Sequence, residues 1–144
     1  MRLLIVVLVL FGLLACDPVV MIPGGALSGE VQAVPASWAF SDEVDTVQLE
    51  TRPDDPYSVN IWGVAVGEDL YVASGKADNA WARYIAEDDR VRLRINGTIY
   101  EMRAERDDSP EGRERFLTAA KAKYDFEPDP EQTSEAILFR LVPR

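Results

Sequence analysis

Residues 90–105, RVRLRINGTIYEMRAE, leave this chain little conformational choice. Asn96-Gly97 stands between two alternating runs. The two-residue turn favoured in hairpins needs positive φ at both central positions, which Asn and Gly supply most readily. Such a loop sets the register, so that facing residues have numbers adding to 193. Val91, Leu93 and Ile95 then share one face with Met102, Tyr100 and Thr98. The other face carries Arg90, Arg92 and Arg94 opposite Arg103, Glu101 and Ile99. A strand pair with one apolar face belongs to an antiparallel sheet that buries that face. The arginine row is expected to face solvent or a second copy of the chain, with Arg92 and Glu101 paired across the strands for roughly 0.3 kcal/mol.

The remaining pattern fits around that hairpin. Residues 30–34 read as a first strand ended by Pro35, and Ser37-Trp38-Ala39-Phe40 as a turn whose aromatics cover a core edge. Residues 46–51 (TVQLET) alternate and read as a strand, stopped by two prolines in RPDDP. Residues 59–66 (VNIWGVAV) and 70–74 are apolar runs separated by Gly67-Glu68-Asp69, the pattern of a hairpin buried on both faces. Asp78 or Asn79 offers an N-cap for a short helix to Glu87, and Asp108 or Ser109 one for a longer helix before Pro110. Phe116, Leu117, Ala120 and Tyr124 form the apolar stripe of that second helix. Residues 126–132 (FEPDPEQ) read as an acidic loop and 136–142 as a last strand. The order implies a mainly β chain with two helices, folded as a small antiparallel barrel of six or seven strands.

The first residues differ from the rest. Arg2 precedes an unbroken apolar stretch over residues 3–15, too short for the roughly 20 residues of a membrane-spanning helix. A short basic start, an apolar centre and a small residue before a cleavage point describe a secretory signal peptide. The ending Leu13-Leu14-Ala15-Cys16 resembles the lipobox of bacterial lipoproteins. That resemblance implies a signal peptide over residues 1–16, acylation of Cys16, and a lipid anchor in the bacterial cell envelope with the domain on the exported side. In Gram-negative bacteria Asp17 would then favour the inner membrane. The plainer reading is a cleaved signal with an incidental cysteine. Cys16 is the only cysteine, so no disulfide can form within the chain. Residues 17–28, with two prolines and Gly24-Gly25, read as a tether, and residues 29–144 as one domain.

Charge and composition exclude several functions. Loss of residues 1–16 removes one base, Arg2, and no acid, so the net charge of −10 becomes −11. A chain this acidic repels phosphate backbones, which argues against nucleic acid as a partner. With no histidine, Ser-His, Cys-His and histidine-ligated metal sites are excluded. The acidic pairs Asp54-Asp55, Asp88-Asp89 and Asp107-Asp108 lack the alternating ligands of a calcium loop and read as caps and turns; no metal site is expected.

The run from IWGVAVGEDLYVASG through AWARYIAEDDRVRLRINGTIYEMRAE to FLTAAKAKY resembles the split β-barrel superfamily, over about residues 46–125. That superfamily contains pyridoxamine-phosphate-oxidase-like flavoproteins and deazaflavin-dependent nitroreductase-like proteins. Trp81-Ala82-Arg83 matches its helix motif, with Tyr84 where Asn is common. The resemblance implies an FMN-binding-split-barrel-like fold, a homodimer, and an FMN or deazaflavin held between two chains. It assigns cofactor contacts to Ser74 and Lys76, where phosphate is gripped, and to Trp81 and Arg83 on the helix. Each has a structural alternative: Trp81 as core, Lys76 and Arg83 as partners of nearby carboxylates. An exported domain lies apart from the cytosolic supply of free flavin, and no covalent flavin-attachment motif is present. The expectation is therefore a membrane-anchored lipoprotein whose domain binds a small ligand or a protein partner without catalysis. The alternatives are a flavin- or deazaflavin-dependent oxidoreductase and a structural envelope protein.

Overall fold

The computed structural model describes residues 24–144; the expected signal peptide, Cys16 and residues 17–23 of the expected tether lie outside the described residues. The chain forms β1 (Glu30–Gln32), β2 (Val47–Thr51), β3 (Tyr57–Ile61), β4 (Gly63–Val66), β5 (Asp69–Ser74), α1 (Ala80–Glu87), β6 (Arg90–Ile95), β7 (Thr98–Arg106), α2 (Pro110–Tyr124), α3 (Pro130–Glu135) and β8 (Ile137–Pro143). Seven strands follow one hydrogen-bonded path, β3-β2-β6-β7-β8-β5-β4, and β1 lies parallel to β7 beside it. The chain is mainly β, with two main helices and a split-barrel sheet, as its pattern predicts.

The shape follows from one junction. β3 and β4 stand at opposite ends of the path, yet only Trp62 separates them in sequence. The sheet must curl until its two ends come within a residue of each other. The expected single strand over 59–66 is thus two strands, each paired to a different neighbour: β3 to β2, and β4 to β5. A continuous apolar run carries no mark of such a break, because both halves are buried. Gly63 lets β4 pack closely on β2, since a Cβ there would stand 3.0 Å from a Val47 methyl group.

Inside the curl, Leu49, Leu70, Val72, Leu93, Met102 and Leu141 are essentially excluded from solvent. A second cluster of Val64, Val66, Tyr71, Ala120 and Leu138 lies where α2 covers the outer face of β4, β5 and β8. Successive β5 residues alternate between the two clusters, which explains its apolar run. Trp38 is buried edge-on against Tyr100 at 5.1 Å, and Ala39–Glu43 after it forms one 3-10 turn.

The β6–β7 register is the expected one, from Arg90 opposite Arg103 to Ile95 opposite Thr98. The arginine row does not simply face solvent. β6 has a second neighbour, β2, which brings Glu50 opposite Arg92 and Gln48 opposite Arg94. Arg92 therefore pairs with Glu50 at 3.3 Å rather than with Glu101, which meets Arg144 at 3.4 Å. Arg94 donates to the Gln48 side-chain oxygen at 2.9 Å. The chain from Gly24 to Leu27 lies across these strands: Gly24 bridges to Ser58, and the Leu27 amide donates to Glu50 at 2.6 Å.

Two helix starts differ from expectation. Asn79 sits at the N-cap of α1, but its side chain makes no capping bond and donates instead to Ser74 Oγ at 2.8 Å. Residues 130–135, partly inside the expected loop, form α3, because Asp129 caps it and Pro130 takes its first turn. Ser109 is the cap of α2, accepting from the Gly112 amide at 3.0 Å.

Candidate functional site

The junction that splits the barrel also builds an aromatic groove. An inner cavity of about 390 Å³ opens between the β3 end, the Ser74-Gly75 end of β5 and the start of α1. Asn60, Trp62, Ser74, Asn79, Trp81 and Phe116 are on its wall. An outer cavity of about 440 Å³ shares Trp62, Ala73, Gly75 and Phe116 with it, and runs under α3 past Phe126 and Asp129. We treat the two cavities, which meet at these shared residues, as the two halves of a groove, each of a size suited to a small aromatic ligand.

Trp62 organises the groove. Its ring stacks on Tyr124 at 4.1 Å and 9°, and Phe126 meets it edge-on at 5.5 Å. Even so, Trp62 is 46% exposed. A large aromatic ring left open to solvent, yet fixed by packing on one side, is a ready platform for another ring. The stack is anchored from below. Tyr124 donates its hydroxyl to the Asp45 carbonyl at 2.8 Å, and Lys123 donates to the carbonyls of Ser41 and Gly63 at 2.7 Å each. Burial pushes the Lys123 ammonium below its ordinary value and the Tyr124 phenol above its own.

The four residues singled out from the sequence separate here. Ser74 and Trp81 share the inner wall. Ser74 is buried, donating to the Lys76 carbonyl at 2.6 Å while accepting from Asn79. Trp81 is buried against Phe139, with ring centres 5.7 Å apart, so it serves the core and the cavity together. Lys76 is exposed on the turn between β5 and α1. Arg83 projects from another side of α1 and lines a separate cavity of about 250 Å³ with Ala82 and Ile85. Sequence reasoning did not single out Trp62, Asn60 or Phe116 as site residues. The one signal for Trp62 was an indole inside an otherwise aliphatic run, directly before a glycine.

These residues fit part of a flavin. The rings of Trp62, Phe116 and Trp81 suit the planar isoalloxazine. The phosphate end is different: every residue of the inner wall is uncharged, and the outer half adds Glu127 and Asp129 but no lysine or arginine. The uncapped start of α1 is the feature nearest the groove that favours an anion. The groove holds no nucleophile paired with a base. Elsewhere, Asp107 accepts from Ser109 at 2.6 Å and from Tyr71 at 3.1 Å, a cluster that fixes the start of α2. Among the described residues, no group of acidic or cysteine side chains is arranged to hold a metal ion, and no helix is long and apolar enough to cross a membrane.

No protein-family model matches the chain, and no curated protein matches its sequence. Solved structures do. A conserved hypothetical protein from Mycobacterium tuberculosis is 21% identical, with a TM-score of 0.60 over 73% of this chain and 76% of that one. A candidate pyridoxamine 5'-phosphate oxidase from Listeria innocua is 16% identical, with a TM-score of 0.56 over 74% of this chain and 89% of that one. An F420 reductase is 19% identical, with a TM-score of 0.54 over 77% of this chain and 96% of that one. Identities this low speak to the fold, and on the fold they agree with the topology: the chain has the FMN-binding-split-barrel-like fold of these structures.

Proposed function

We propose that this protein is an exported, lipid-anchored binding module whose split barrel holds a planar heteroaromatic ligand of flavin-ring size without transforming it. The observation that carries the reading is Trp62, half-exposed, stacked on Tyr124 and open to a groove whose inner wall is uncharged and which holds no catalytic pair. Anchoring rests on Cys16 and its flanking residues. Seven residues lie between Cys16 and Gly24, where the chain joins the sheet, so the eight steps reach at most about 29 Å. An acylated Cys16 would therefore keep the barrel close to the bilayer.

Titration of the full-length chain with riboflavin, followed by flavin and tryptophan fluorescence, tests the binding. Saturable binding that Trp62→Ala removes supports the reading; no binding up to the solubility of riboflavin sinks it. Cys16→Ser tests the anchor: loss of acyl incorporation is expected, and undiminished lipid labelling would remove the anchor from the reading.

A second reading, an oxidoreductase using flavin or deazaflavin, draws on the likeness to a protein named an F420 reductase. It needs a phosphate site at Lys76 and Arg83 with the start of α1. Visible absorbance of the purified chain, and FMN binding lost in a Lys76→Ala, Arg83→Ala double variant, would favour it.

A further inference from the structure

We propose that the Trp62 groove selects by charge: it takes planar aromatic ligands that carry no anionic group and discriminates against the phosphorylated form of the same ligand. The inference deepens the binding reading and rests on it. Its basis is the placement of every charge around the groove. The inner wall is uncharged throughout, and Glu127 and Asp129 are the ionised groups on the outer wall.

The nearby bases are already paired, Lys121 and Arg113 with groups of the outer wall itself, which leaves Asp129, among the described residues, as the acid there without a cation. Lys121 pairs with Glu127 at 2.7 Å, and Lys123 is spent on the Ser41 and Gly63 carbonyls. Arg113 donates to the carbonyls of Thr133 and Ala136, on the far side of α3 from its cap. Arg83 belongs to a different cavity. Lys76 is exposed, where solvent and salt screen it, and Asp78 follows two residues later.

The two neutral side chains at the start of α1 are occupied as well. The Asn79 amide is held by Ser74, and the Ser74 hydroxyl by the Lys76 carbonyl. An anion entering the groove would exchange water for uncharged walls and carboxylates, within a chain of net charge −10. The first-turn amides of α1 oppose this, but an eight-residue helix offers only a partial charge that acts over its first turn. Balance therefore falls on the side of exclusion.

Riboflavin and FMN differ by one phosphate and form a matched pair of probes. The full-length chain in non-ionic detergent is titrated with each at low and high salt. FMN is expected to bind about tenfold more weakly than riboflavin at low salt, with the gap narrowing as salt rises. Asn60→Lys places a cation on the wall of the inner cavity, at the one exposed residue of β3. Measured within that one variant, the ratio of FMN to riboflavin affinity should rise severalfold over the ratio in the parent chain. FMN binding as tightly as riboflavin, or more tightly, overturns the inference while the binding reading stands, and would point to the start of α1 as a phosphate site. If neither flavin binds, the binding reading itself fails and the inference falls with it.

Discussion

Asp88 lies between α1 and β6 and accepts from Arg90 through both carboxylate oxygens, at 2.9 and 2.6 Å. Those bonds hold its carboxyl at about 2, below the usual carboxylate value. A folded-state value below the unfolded one stabilises the protein above about pH 4, and the contribution is lost as pH falls toward 2. Because the pair is partly open to water, Asp88→Asn should cost only about 0.5–1 kcal/mol at pH 7. The difference from the parent should shrink in denaturant titrations near pH 2; an equal difference at both pH values would remove the charge from the explanation. Gly112 makes a steric point of similar scale. A Cβ there would overlap the Asp107 carboxylate, which holds Ser109 and Tyr71. Gly112→Ala is expected to destabilise by about 1–3 kcal/mol, read as a lower denaturation midpoint.

At the level of elements, α2 depends on its first turn. Ser109 caps it, and Lys121 and Lys123 complement its C-terminal end. Ser109→Ala should cost about 1 kcal/mol by thermal melting, and Ser109→Thr should recover most of it, because a hydroxyl can both accept from Gly112 and donate to Asp107. The segment before β1 has a different hold on the fold. Glu50 is 3% exposed and joins the Leu27 amide to Arg92. Removing it leaves a half-buried guanidinium without its carboxylate, so Glu50→Ala is expected to cost about 2–3 kcal/mol. Hydrogen exchange of residues 24–29 should quicken in that variant; unchanged protection there would separate the segment from Glu50.

For the whole molecule, the curl makes stability collective. The two apolar clusters share strands β4, β5 and β8, and the sheet's ends are joined through Trp62. Unfolding followed by far-ultraviolet circular dichroism and by tryptophan emission should give one coincident transition, since Trp38 and Trp81 report the inner core and Trp62 the outer groove. Two resolved transitions would mean that α2 and α3 leave the sheet independently.

The hairpin over residues 90–105 was legible from sequence down to its register, because a two-residue Asn-Gly loop and an alternating pattern leave one pairing in which the apolar residues share a face. The start of α2 was legible for the same local reason: a capping residue and a proline act within one turn. What lay beyond the sequence was every choice made between distant strands. Whether 59–66 is one strand or two depends on which neighbours β3 and β4 find. Whether Arg92 meets Glu101 or Glu50 depends on β2 arriving on the other side of β6. The grouping of Ser74 with Trp81, and the departure of Lys76 and Arg83 from that wall, depends on how the turn into α1 is rotated against the sheet. Local propensity acts over a few residues, whereas a groove is the meeting of segments far apart in the chain. Sequence alone determined the Asn-Gly hairpin, the start of α2 and the acidic charge; the curl of the sheet decided that the run over 59–66 would break and Trp62 stand at the mouth of a groove.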